Sequence, residues 1–260
     1  MKISKKLISA IVMLTLSFVM LVTSSFAWFS MNVDVSATGM TVTAKGDQIY
    51  LEIINATQSF DTTTGQTSVA AATATKENLK PTAPVQGINV SDNTKVDPYD
   101  GTQPVKWVTN TSNAIDQWQA SQAYTLADDT YYLVNTFKIR LNPDTGAVTA
   151  NPLYVSNVKF ADGAKITKDF AKCVSVLVVC GNNSQLWTQA TTKGTFVEDA
   201  ESADNLFADS GKFNNTTTGV EVSVYVFFNG ADATCTISNL KEAIAASENN
   251  YTVEVSFSVQ

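Results

Sequence analysis

VEVSVYVFF, residues 220–228, and YTVEVSFSVQ, residues 251–260, decide the fold. Val220, Val222, Val224, Val226 and Phe228 take every second position of the first, and Val253, Val255, Phe257 and Val259 take every second position of the second. A period of two puts each set on one face of a strand, and the β-branched and aromatic content suits a pleated, half-buried surface. Val222, Val224, Val226, Val255 and Phe257 are therefore expected in the core between two sheets.

The same period recurs outward along the chain. Strands are expected over Gln48–Ile54, Tyr131–Leu141, Leu153–Phe160 and Cys173–Val179. Near the N-terminus, Phe29, Met31, Val33, Val35 and Ala37 alternate with polar neighbours; beyond Gly39 the apolar set becomes Met40, Val42 and Ala44. That change of parity predicts a bulge or bend at Thr38-Gly39 between two strand segments. Helical patterns are confined to Asn113–Ala123 and Leu240–Ala246, the latter capped by Ser238 or Asn239. The fold class expected is all-β, an antiparallel β-sandwich with short helices. Residues 28–260 are expected to form a single domain with a long loop-rich insertion at 55–129. Its first half reads as exposed and mobile, while Trp107, Ile115, Trp118, Tyr124 and Leu126 predict that its second half packs onto the sandwich. Residues 182–219 read as a smaller insertion of the same kind.

The first residues address location. Lys2, Lys5 and Lys6 precede an uncharged apolar run, Leu7–Val22, and Ser25-Phe26-Ala27 places small residues where a signal peptidase reads. Residues 1–27 are expected to be a signal peptide cut between Ala27 and Trp28, which makes the protein secreted and free of the membrane after cleavage. The competing reading is a retained anchor, because the run extended through Phe29 approaches the ~20 residues that cross a bilayer. In both readings the remainder faces outward. The formal net charge is −7, and removal of three lysines with the signal leaves about −10. With Arg140 the only arginine and no basic patch, a nucleic-acid partner is not expected.

Catalytic chemistry is scarce. The chain contains no histidine, which removes the usual proton shuttle near neutral pH and the commonest zinc ligand. Neither a nucleophile elbow nor a phosphate-binding or dinucleotide glycine loop occurs. Asp116, Asp128, Asp129 and Glu221 are the carboxylates from which a glycosidase pair could be drawn, but no spacing pairs them. Asp92, Asn93, Asp97 and Asp100 crowd one loop as calcium ligands would, without an EF-hand spacing, and turn formation accounts for them equally. No metal, no cofactor and no enzymatic activity are expected. Cys173, Cys180 and Cys235 allow at most one internal bridge. Cys173 and Cys180, seven apart in one strand, are expected on opposite faces, so a bridge would need Cys235.

An A-W-F-S segment, Ala27–Ser30, directly after a signal, the following alternation, the second segment Ala37–Val42 and a closing strand at Val253–Gln260 together resemble the TasA/camelysin-like exported proteins of Gram-positive bacteria. Val224–Cys235 is similar to a feature of surface proteins from gut clostridia. The resemblance implies a jelly-roll-like β-sandwich that builds cell-surface or biofilm-matrix fibres by donating its N-terminal strand to a neighbour. It makes Phe29, Met31, Val33, Val35 and Ala37 the subunit interface and a second copy, or a related surface subunit, the partner. An open sheet edge completed by another chain gains a backbone ladder and side-chain pockets together. The same strand pairing within its own chain is the alternative. The rival function is a monomeric glycan-binding module that displays Trp107 and Trp118 from the insertion, and a hydrolase on the same scaffold is the third.

Overall fold

The structure, a computed structural model, describes residues 41–45, 51–70, 81–88, 96–97, 99–102, 106–110, 124–127, 129–143, 152–161, 169–190, 194–207, 213, 217–236, 239 and 252–259. Two main sheets carry the core. The first has the order β10 (Leu153–Phe160), β15 (Thr252–Val259), β1 (Thr41–Lys45) and β3 (Ser68–Ala70). The second runs β13 (Phe196–Glu198), β12 (Asn183–Gln189), β11 (Val174–Cys180), β14 (Val220–Phe228), β9 (Tyr132–Leu141) and β2 (Leu51–Asn55). Every pairing between named strands is antiparallel except β1 with β15, which run parallel from Thr41↔Thr252 to Lys45↔Ser256.

The architecture is an all-β sandwich. Val253, Val255 and Phe257 from one sheet and Val222, Val224 and Val226 from the other are buried in one hydrophobic cluster, as their alternation requires. At roughly 1.5–3 kcal/mol for each fully buried aliphatic or aromatic side chain, this layer is the main favourable term in folding. On β10 the inward positions are Leu153 and Val155, then Val158 and Phe160. A register shift between Val155 and Asn157 restores the apolar face after one extra residue, as a bulge does.

Both seams of the sandwich are sewn. On one side Ile53 and Gln66 exchange backbone hydrogen bonds of 2.8 and 3.1 Å, which joins edge strand β2 to the turn before β3. The same seam holds the chain's only arginine: Arg140 Nε and Nη2 each lie 2.7 Å from Glu52 Oε2, and the guanidinium stacks 4.1 Å over the Phe60 ring. A planar fork suits that double task better than an ammonium would. On the other side, bridges Lys159↔Thr195 and Leu153↔Phe207 join β10 to the chain around β13.

Three shorter strands, β4 (Ala83–Val85), β7 (Lys106–Asn110) and β8 (Tyr124–Leu126), form a small sheet, and β5 (Gly87–Ile88) pairs with β6 (Val96–Asp97). The small sheet is anchored where Thr82 N–H donates to Phe228 O and Gly230 N–H donates to Thr82 O. From it Trp107 packs on the outer face of the six-stranded sheet, its ring 4.5 Å from Tyr132, 5.3 Å from Tyr225 and 4.9 Å from Phe227. These contacts make a second core, so β14 buries apolar residues on both faces, not on one as its alternation predicts.

Several expectations change. Residues 55–129 supply Ser68–Ala70 to a main sheet, so part of the half read as exposed is structural. Residues 183–189, read within an insertion, are the core strand β12. Cys173 does not open a strand: it ends the 3-10 turn Asp169–Cys173, and both it and Cys180 reach the main core, so the expectation of opposite faces fails. A two-residue turn at Gly181-Asn182 reverses the chain between Cys180 and Asn183, and Gly181 takes φ 59° there. The helices expected at 113–123 and 240–246 lie outside the described residues.

Candidate functional site

The site expected at Ala27, Trp28, Phe29, Met31, Val33, Val35 and Ala37 lies outside the described residues. What is described is the sheet that its chain enters. β1, the next segment, occupies an interior position, with five register partners on β15 and three on β3. β1 runs parallel to β15, with Thr41 opposite Thr252 at the end of the sheet where Phe160 of β10 pairs with Val253. The final strand of the chain and one of its first described segments thus complete one ladder, although they are some two hundred residues apart in sequence.

The far edge of that sheet is closed to an additional strand. On β10, Leu153 N–H donates to Phe207 O at 2.9 Å and Leu206 N–H donates to Leu153 O at 2.7 Å. Val155 N–H donates to Gln185 Oε1 at 2.9 Å. Gln185 is 2% exposed and its Nε2 donates to Glu198 Oε1 and Ala203 O, so a side chain of the opposite sheet takes the place of a neighbouring backbone. Bulges, charge and covering groups are how natural sheets guard an edge, and β10 has all three, with Lys159 paired to Glu254 at 3.4 Å. Gln185→Leu keeps the volume but orphans Val155 N–H and Ala203 O. It is expected to lower stability by about 2–4 kcal/mol in guanidinium denaturation.

Of the carboxylates considered for glycoside hydrolysis, the two among the described residues, Asp129 and Glu221, are not brought together. Asp116 and Asp128 lie outside the described residues. Asp129 precedes β9, whose Tyr132 pairs with Phe227, whereas Glu221 pairs with Lys138 at the other end of the same ladder. Six residues of strand separate those levels by about 20 Å, too far for a carboxylate pair. For calcium, Asp92 and Asn93 lie outside the described residues, and Asp97 is described only by its backbone pairing with Gly87. Asp100 has its carboxylate engaged by its own turn: Thr102 N–H and Oγ1 donate to Oδ1 at 2.9 and 2.7 Å, which lowers its pKa. Among the described residues no group of three His, Cys, Asp or Glu side chains is placed to hold a metal ion.

The aromatic positions also part. Trp118 lies outside the described residues. Trp107, expected on display in a glycan-binding module, is 8% exposed among three rings and has no open face to offer a sugar. Beside it Tyr99 is buried with its hydroxyl 2.9 Å from Ser184 Oγ, and burial pushes its pKa up to about 12. Local sequence gave a signal for β12 in the Gly181-Asn182 pair, a hairpin turn between two runs. No local signal announces Gln185 as the cap of β10. Among the described residues no helix is long and apolar enough to cross a membrane. Comparison of the chain with protein-family models, with curated proteins and with solved structures finds no match.

Proposed function

We propose that this chain is an exported, non-enzymatic structural subunit of a bacterial cell-surface or biofilm-matrix fibre, a jelly-roll-like β-sandwich. In this reading Phe29–Ala37 of one copy enters the sheet of the next. The observation that carries the proposal is the place of β1. A segment from the N-terminal region is an interior strand of the four-stranded sheet, parallel to β15 and flanked by β3. Completing a sheet with an N-terminal strand is already how this domain is built, and the residues just before β1 carry a second alternating apolar row. Such a row leaves backbone donors, acceptors and side chains unsatisfied until it joins a ladder, and a neighbouring subunit can satisfy both.

The sealed β10 edge adds direction. With one edge capped by Gln185, Leu206 and Phe207, lateral growth there is blocked and addition through the N-terminal strand is favoured. The test is electron microscopy of the mature protein alongside a form lacking residues 28–37 and the Val33→Asp variant. Fibres are expected for the parent alone, with Val33→Asp folded and monomeric, because its charge is buried only in the joined state. A parent that stays monomeric, together with a Val33→Asp variant that unfolds, would mean that the strand belongs to its own core and would overturn the proposal.

A further inference from the structure

Two of the three cysteines meet inside the sandwich. Cys173 ends the turn that leads into β11, and Cys235 lies in the connection that follows β14; they are 1% and 3% exposed and share the main core. Their segments are stitched together on both sides of the pair. Asn229 N–H donates to Cys173 O at 2.7 Å, Thr234 Oγ1 donates to Lys172 O at 2.7 Å, and Cys173 Sγ lies 3.8 Å from Thr234 O as its donor. Cys235 directly follows Thr234, which sets its thiol beside that of Cys173, the leading cause of the rise in the Cys235 pKa. Cys180 is not a competitor, because it closes β11 at the opposite end, about 20 Å along the strand.

From this geometry we infer that Cys173 and Cys235 are a cross-linking site, oxidised to an internal disulfide that ties the start of β11 to the connection between β14 and β15. The oxidant is a disulfide, either low-molecular-weight or carried by a thiol oxidoreductase. One cysteine, as thiolate, attacks a sulfur of RSSR and expels one RS⁻. The second cysteine then attacks the protein-bound sulfur, the intramolecular S–S bond forms and the second RS⁻ leaves. The two cysteine protons end on two RSH, and two electrons pass from the protein to the oxidant.

Burial sets the timing. In the folded reduced protein the Cys235 thiol is pushed up in pKa, first by the neighbouring Cys173 thiol and then by desolvation, so it remains protonated and unreactive. Exchange therefore belongs to the stage before residues 229–236 dock, or to their local opening. The bond closes a loop of about 60 residues and holds the exit of β14 against the core, a long-loop constraint of the kind that restricts the unfolded chain most.

The test is to refold the purified protein with oxidised glutathione, block free thiols under denaturing conditions and map the peptides by mass spectrometry. The inference expects an intact mass lower by about 2 Da, a peptide that joins Cys173 to Cys235, and a blocked thiol at Cys180 alone. It also expects the Cys180→Ser variant to form the same bond. Reduction is expected to lower the melting temperature of the parent by roughly 5–15 °C, while the Cys173→Ser/Cys235→Ser double variant melts alike with and without reductant. Three blocked cysteines, a bridge that includes Cys180, a stable glutathione adduct at either position, or a parent melt insensitive to reductant would each overturn it.

Discussion

Phe257→Ala is expected to lower the free energy of unfolding by about 3–5 kcal/mol, a large share of what a domain of this size possesses. Phe257 lies on β15 and is 1% exposed in the main core. The loss has two parts: the transfer free energy of the ring and the cavity left where surrounding strands cannot close in. Collapse is restricted here because β15 is held on both sides, by β10 with Val155 opposite Phe257 and by β1 on its other edge. Guanidinium denaturation should show a lowered midpoint with an unchanged slope. An unchanged midpoint would place the ring outside the core and contradict the assignment of the inner face.

Gly101→Ala should cost about 2–5 kcal/mol, although it adds a single carbon. Gly101 holds φ 79°, where an L side chain costs about 1–2 kcal/mol. A methyl group there would stand 2.6 Å from Glu201 O and 2.7 Å from Ala203 N, both backbone atoms, so overpacking adds about 1–3 kcal/mol. Neither segment can yield freely. Gly101 O accepts from Ser184 N–H at 2.9 Å, and Ala203 N–H donates to Ser184 O at 3.0 Å, so the glycine is wedged between β12 and the loop that packs against it. Gly181→Ala supplies the control. It has φ 59° with nothing within 4 Å of the added carbon, so only the conformational cost, about 1–2 kcal/mol, should appear. Equal losses in thermal or chemical denaturation of the two variants would refute the close approach at Gly101.

The strands with alternating apolar residues were legible, β10 even across its bulge. β10 and β14 fall where their periodicity places them, and β15 lies within one residue at each end of its expected span. β12 carried a turn signal at Gly181-Asn182 but no apolar alternation, because NSQLWTQ buries Ser184, Gln185 and Gln189 in an otherwise apolar interior. Polarity in a strand ordinarily marks a solvent face. Here Ser184 is satisfied by Tyr99, 85 residues away in sequence, and Gln185 by Val155, 30 residues away, partners that only the fold brings near. Trp107 was expected to be displayed in one reading and to pack in another; the decision rests with Tyr132, Tyr225 and Phe227.

Of the residues considered for function, the sequence alone carried the chemistry that is missing. Without histidine, acid–base and nucleophilic schemes built on it have no proton carrier, whatever the fold. Hydrophobic period likewise settled the all-β class, because side chains alternate across a strand regardless of its partners. Tertiary structure alone decided pairing: that β1 lies parallel to β15 within a sheet, that β10 is capped by a glutamine from the opposite layer, and that Cys173 shares one core with Cys180 and Cys235 instead of lying on the face opposite Cys180. Local periodicity specifies which face of a strand is buried but not which strand lies beside it. That choice is made by long-range packing and hydrogen-bond satisfaction, which no single window of residues contains.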